Sequence, residues 1–525
     1  MADHAIEHTT PRVGSIDRYS PAVLLSLALA FGVLAQYLFF RSALGLNVGI
    51  ASAVVVAVAW RLRPTGARVD RLDRWILPAA IIFAFLPANR VDLMLLLFDV
   101  PATLVLVTMA AVSFAGVPVT RRAVDVLVVL GFVVVGRILA GGALLLAALP
   151  DLGRPLARRS GGRIGSVGVG IALAFPFLVV FALLFASADA VFSSAVTNVF
   201  DFRKWSIGEL ISRVLLAGTF AWIAGGLFVV AGRRTDTTMP AVLPRLRGLL
   251  SSTAGVTTLL AIDALFVFFV GLQIAYLFGG IDTLNATGLT YSTYARRGFF
   301  ELIAVAVLAG GLLFVVELVV AKRTRLYVGA ALTLALATLV IVVSAAYRMQ
   351  LYQLAYGWTE LRFYALAGIA WLGVGGVCAA VLVWRDATRW LLHAAGLIAL
   401  AVAVAANLIT PSAFVARQNL ERVVSPSGLP ADASRELDAQ YLASLGDGAV
   451  PTLVEYLPHL PAADRAALGS ALRTFALEGR GLEPASLPAF SLDRERARQA
   501  LQSVADELRT YPLIRPGPTP LQRRP

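Results

Sequence analysis

Long apolar runs, separated by short breaks rich in arginine and glycine, fill the chain from Pro21 to Ile409. A helix needs about 20 apolar residues to cross the hydrocarbon core of a bilayer. Twelve runs have helical length: Pro21–Phe40, Leu44–Trp60, Trp75–Ala88, Leu93–Phe114, Val124–Leu149, Val167–Ser187, Ile207–Ala231, Val256–Phe278, Gly298–Val320, Leu326–Ala346, Phe363–Trp384 and Trp390–Ile409. None shows the short alternation of a membrane β-barrel strand. No small-residue cleavage site follows the first run, which is therefore expected to be retained.

The polar positions between the runs orient them. Arg61, Arg63, Arg68, Arg71 and Arg74 mark one cytoplasmic loop, and Arg154, Arg158, Arg159 and Arg163 a second. Arg233, Arg234, Arg245 and Arg247 mark a third, Lys322, Arg323 and Arg325 a fourth, and Arg385 and Arg389 a fifth. From Val167 onward the alternation is consistent and places the segment after Ile409 outside the cytoplasm. Between the first two loops lie three runs, where an even number is needed. Arg137, at the centre of Val124–Leu149, is costly in lipid unless it faces the bundle or water. The expectation is that this run is re-entrant or surface-lying, leaving eleven crossings.

Beyond Pro411 hydropathy drops while proline and charge rise. Ala433–Leu445, Asp464–Glu478 and Asp493–Arg509 have helical apolar spacing, with Asp447 as a candidate N-cap and Pro451 in the opening turns of the helix after it. The predicted fold is all-α: a polytopic transmembrane helix bundle of 11–12 spans with a small C-terminal helical domain. The expected divisions are a polar cytoplasmic segment (1–19), the membrane domain (20–410), an extracytoplasmic helical domain (411–510) and a disordered tail (511–525).

Composition agrees with this reading. The 525 residues are 58% hydrophobic and 15% charged, with a mean hydropathy of +0.78; a soluble protein this apolar could not cover its surface. The formal charge of +13 raises nucleic-acid binding. The excess, however, is arginine in loops, which the positive-inside bias explains without a polyanionic partner. The one cysteine, Cys378, rules out a disulfide within the chain.

No motif for metal, phosphate or nucleophilic catalysis is present, and no cofactor or metal site is expected. The glycine pairs Gly141-Gly142, Gly225-Gly226, Gly310-Gly311 and Gly375-Gly376 read as close helix packing. Polar residues at or within the spans are the functional candidates, because burying them in lipid is expensive. A cluster at the outer face combines Tyr291, Tyr294, Arg296, Arg297 and Glu301 with Arg348, Tyr352, Tyr356, Glu360 and Arg362. Arg297 and Glu301 are spaced to pair. If Tyr347–Arg362 is helical, Arg348, Tyr352, Tyr356 and Glu360 make one stripe. Interfacial anchoring and structural ion pairing are the favoured account of these tyrosines and arginines, ahead of a ligand site. Three intramembrane charges complete the set: Asp263 as a candidate for proton or cation coupling, Arg137, and Glu317, which is expected to pair with Lys322 or Arg323.

Four segments resemble the signature blocks of a bacterial multi-pass membrane family, the domain of unknown function 4153/4173. They are Phe185–Phe192 (FASADAVF), Tyr291–Leu302 (YSTYARRGFFEL), Tyr347–Arg362 (YRMQLYQLAYGWTELR) and Asp438–Leu453 (DAQYLASLGDGAVPTL). Arg297 and Gly448 depart from the pattern. The resemblance implies a bacterial inner-membrane protein with this topology and no particular reaction.

Three functions remain open. A permease for a small solute, lipid or ion is motivated by the number of spans and their buried charges. A non-catalytic sensor or scaffold would bind a protein partner through residues 411–510. An envelope enzyme on a lipid-linked substrate would use Glu301 and Glu360. The bilayer itself is the one expected partner common to all three.

Overall fold

The computed structural model describes residues 19–122, 124–146, 207–232, 248–278, 299–426, 436–477 and 486–513. Among these are seventeen α-helices and no strand, beyond one isolated bridge between Leu250 and Val320. Among the described residues, nine helical stretches are long and apolar enough to cross a membrane. The chain is an integral membrane protein with an all-α polytopic bundle.

It divides into two compact units: Met1–Phe85, Pro101–Arg122 and Leu127–Thr238; and Leu86–Val100, Ala123–Val126 and Met239–Pro525. The helices that supply the first unit are α1 (Pro21–Phe39), α2 (Leu46–Leu62), α3 (Ile76–Asn89, in part), α4 (Leu93–Phe114, in part), α5 (Val124–Leu146, in part) and α6 (Ile207–Gly232). Ser20 caps α1 by accepting a hydrogen bond from the Val23 amide. Asn47, fully buried, ties the α1–α2 turn by donating to the Leu38 and Ala43 carbonyls at 3.1 and 3.0 Å. Asp73 is also buried. It accepts from Ser113 Oγ and the Val119 and Thr120 amides at 3.0, 2.9 and 2.8 Å. Those bonds fix the start of α3 beside the end of α4.

Glycine sets the approach of α6. A methyl group at Gly32 of α1 would overlap the Ala217 carbonyl, and one at Gly226 would overlap the Ile138 carbonyl of α5. Gly142 sits under Trp222 and Gly141 against Gly226, so α5 and α6 are antiparallel. Within the run expected to be re-entrant or surface-lying, α5 is one unbroken helix of 23 residues, packed along α6 by small residues. Arg137 lies on its exposed side. The predicted span Val167–Ser187 lies outside the described residues.

The second unit contains α7 (Ser252–Phe278), α8 (Phe299–Val319), α9 (Arg325–Tyr356), α10 (Glu360–Trp384) and α11 (Leu391–Ile409). Leu259, Leu313, Val316, Tyr327, Ala331 and Leu334 pack together at one level, and Leu302, Ala306, Ile341, Met349 and Ile369 at another. Helix α9 is 32 residues long and passes the expected end at Ala346. It stops only at Gly357, whose φ of 78° needs glycine and whose amide bonds the Gln353 carbonyl. Thr359 then caps α10 through the Arg362 amide. The expected packing role fails for Gly310, Gly311 and Gly375, which meet open space.

Five further helices follow: α12 (Pro411–Val424), α13 (Ala439–Ser444), α14 (Val450–Tyr456), α15 (Ala462–Phe475) and α16 (Leu492–Ser503), with a final turn α17 (Ala505–Leu508). They share a core of Val415, Leu420, Leu442, Leu453, Leu472 and Leu501. Asp438 caps α13, so residues 436–438 precede the helix rather than belonging to it. Asp447 does not cap α14; its carboxylate pairs with Arg494 at 3.4 Å. Pro451 stands in the first turn of α14, as its sequence position implied. Tyr511 packs on Gly469 and belongs to the fold.

Candidate functional site

The second unit concentrates buried polar groups where the α3–α4 turn, the start of α10 and the end of α11 meet. Asp92 closes the turn: its Oδ1 accepts from the Met94 and Leu95 amides at 2.8 and 3.2 Å, capping α4. The same oxygen accepts from the Tyr364 hydroxyl at 2.9 Å. Glu360, one helical turn before Tyr364, lies within hydrogen-bonding reach of Asp92. Seven residues, or about 10 Å, further along α4, Asp99 is almost fully buried. It accepts from Asn407 Nδ2 at 3.2 and 3.0 Å. Asn407 Oδ1 is buried with no hydrogen-bond partner among the described residues. Tyr364, Asp92 and Glu360 thus gather at the shallow end of α4, with Asp99 at the deeper position.

The C-terminal helices cover the shallow end of this column. Tyr441 accepts from the Glu360 amide at 3.0 Å. Arg90 donates to Thr410 Oγ1 and lies 3.9 Å from Asp493. Burial pushes the Asp493 carboxyl above its ordinary range, against the pull of Arg90 and Arg496. Burial likewise raises the Tyr441 phenol and lowers the Arg90 guanidinium.

The outer cluster expected from the sequence falls only in part within the described residues. Tyr291, Tyr294, Arg296 and Arg297 lie outside the described residues, and with them the Arg297–Glu301 pair; Glu301 is exposed on α8. Arg348 is buried and donates to Gln273 at 3.1 Å, beside Ser344. Tyr352 and Tyr356 meet edge to face at 5.0 Å, with Arg362 stacked 4.2 Å from the Tyr352 ring. Arg362 and Arg422 donate to the last carbonyls of α9, a structural role at a helix C-terminus. Glu360 is not on that stripe: the Gly357 turn moves it to α10, toward Asp92. Glu317 pairs with Arg323 at 3.4 Å, as spacing suggested. Asp263 is 5% exposed, and neither carboxylate oxygen has a hydrogen-bond partner among the described residues. No group of three or more His, Cys, Asp or Glu among the described residues could hold a metal ion.

Sequence reasoning missed Asp92, Asp99, Tyr364 and Asn407. Asp99 carries a legible signal, a carboxylate inside an apolar run; its amide partner stands 308 residues away and carries none.

A family model described as a domain of unknown function, DUF4153, matches residues 77–456. The chain belongs to the DUF4153 family. The match begins in α3 and ends with α14, so it takes in the whole column from Asp92 to Asn407 and stops short of Asp493. No curated protein and no solved structure matches the chain.

Proposed function

We propose that this protein is a permease that couples movement of a small solute, lipid or ion to a proton or small cation. The observation that carries the reading is the buried Asp99–Asn407 pair, set about two helical turns along α4 from Asp92, which Tyr364 and Glu360 approach. An ionised carboxylate within a span costs about 2.5–3.5 kcal/mol on insertion scales, and such groups mark ion paths and proton relays. Adjacent carboxyl groups bind one proton or one cation between them. Tyr364 can accept and donate in the same relay. Asp263, buried without a hydrogen-bond partner among the described residues, supports the same reading as a second neutralisable charge.

The test is purified full-length protein in liposomes holding a pH-sensitive dye, with a membrane potential imposed and solutes screened as a panel. Proton entry above empty liposomes, changed by at least one solute, is expected. Liposomes that stay as tight as empty ones to protons and to small cations would sink the reading.

A sensor or scaffold role is the second reading. It is favoured by Leu477, Leu487 and Leu513, which are exposed in the segments that link and follow the C-terminal helices. A photo-crosslinker at Leu487 that gives one discrete adduct in cells would support it; labelling of lipid alone would not.

A further inference from the structure

At the end of α8–α11 that carries Lys322, Arg323, Arg385 and Arg389, a cavity of about 570 Å³ opens between the α8–α9 and α10–α11 turns. Its walls are Glu317, Val320, Ala321, Arg323 and the run Arg385–Arg389. Arg323 is already committed: it pairs with Glu317 and Asp386 and donates to the Val383 carbonyl at 2.9 Å. That leaves the carboxylates answered and the exposed Arg385 and Arg389 facing the cavity with no ion pair among the described residues.

The turn that presents them is fixed by its backbone. Asp386 sits in the left-handed region at φ 54°, and the Arg385 and Ala387 amides bond the Val381 and Leu382 carbonyls at 2.9 and 2.8 Å. Trp384, 70% exposed, and Trp390, against which Arg389 stacks at 5.5 Å, flank the arginines. Tryptophan collects at the headgroup level of a bilayer. Basic pockets between span ends bind anionic headgroups there.

We infer that this cavity is a binding site for the phosphate-bearing headgroup of an anionic phospholipid, held by Arg385 and Arg389. The lipid source is favoured over free phosphate because the cavity lies at the ends of membrane-length helices, between two interfacial tryptophans. The site is independent of the carboxylate column and of any transport activity.

The experiment is native mass spectrometry of the full-length protein released from detergent after equilibration with phosphatidylglycerol, phosphatidylcholine or inorganic phosphate. Phosphatidylglycerol should be retained over phosphatidylcholine, and millimolar inorganic phosphate should not displace it. Each arginine removed should lower retention about fivefold, so Arg385→Gln/Arg389→Gln should lower it about 25-fold. Ala387→Glu keeps both arginines but adds a repelling carboxylate, and should cause a comparable loss. Arg509→Gln, an exposed charge on the C-terminal helices, is the matched control and should change nothing. Equal retention of the two lipids, displacement by phosphate, or full retention by both cavity variants would each overturn the assignment.

Discussion

Replacing Arg90 with alanine should loosen the C-terminal helices from the α3–α4 turn, by an amount that depends on pH. Arg90 and Asp493 side chains are only 11% and 9% exposed, and the guanidinium also bonds Thr410. Deleting one partner of a buried ion pair costs about 3–5 kcal/mol. The 3.9 Å separation and the nearby Arg496 place this case lower, at about 2–3 kcal/mol. Burial already holds the Asp493 carboxyl above its ordinary range, and losing Arg90 moves it higher. A carboxyl whose folded value is raised binds more protons folded than unfolded. Stability therefore falls as pH rises from the unfolded value through the folded one. The Arg90→Ala deficit should be largest at neutral pH and shrink toward the ordinary carboxylate range. Thermal unfolding of the full-length protein in detergent at two pH values measures it, with Asp493→Asn in both backgrounds to isolate the pair. A deficit that is constant with pH, together with additive single effects, would refute the reasoning.

Three other outcomes follow from the packing. Gly226→Ala drives a methyl into the Ile138 carbonyl and should cost about 1–3 kcal/mol, whereas Gly310→Ala enters open space and should leave the unfolding midpoint unchanged; equal shifts would contradict the antiparallel α5–α6 contact. Asp73→Ala strands the Ser113 hydroxyl and two amides and should cost about 3 kcal/mol or more, read by denaturant titration. Glu495 is held down to about 2, from an ordinary 4.5, by hydrogen bonds from Arg498 and Gln499. Its contribution is present above 4.5 and is lost as pH falls through about 2. Glu495→Gln should therefore flatten the helicity change over that window in circular dichroism, and an unchanged acid profile would count against the contact.

The membrane character and most helices were legible because lipid-exposed spans announce themselves by length and hydropathy alone. Helix ends were less so. Tyr347 to Tyr356 reads as an interfacial loop by its tyrosines and arginine, yet it prolongs α9 until Gly357 supplies a left-handed turn. Arg137 drew attention to the middle of its run, whereas the close contact of Gly141 with Gly226, on two different helices, is what packs α5 against α6. The column was the hardest part to read. Asp92 looks like a loop residue, Tyr364 like an interfacial anchor and Asn407 like a span end; only the fold brings Tyr364 to Asp92 and Asn407 to Asp99.

The proposed coupling path is tested most directly by proton flux into proteoliposomes carrying wild type, Asp99→Asn or Asp99→Glu. The path through Asp99 predicts at least a tenfold loss with asparagine, which keeps the shape but cannot release a proton, and partial recovery with glutamate. Flux through Asp99→Asn equal to wild type, in protein that reconstitutes and unfolds normally, would contradict it.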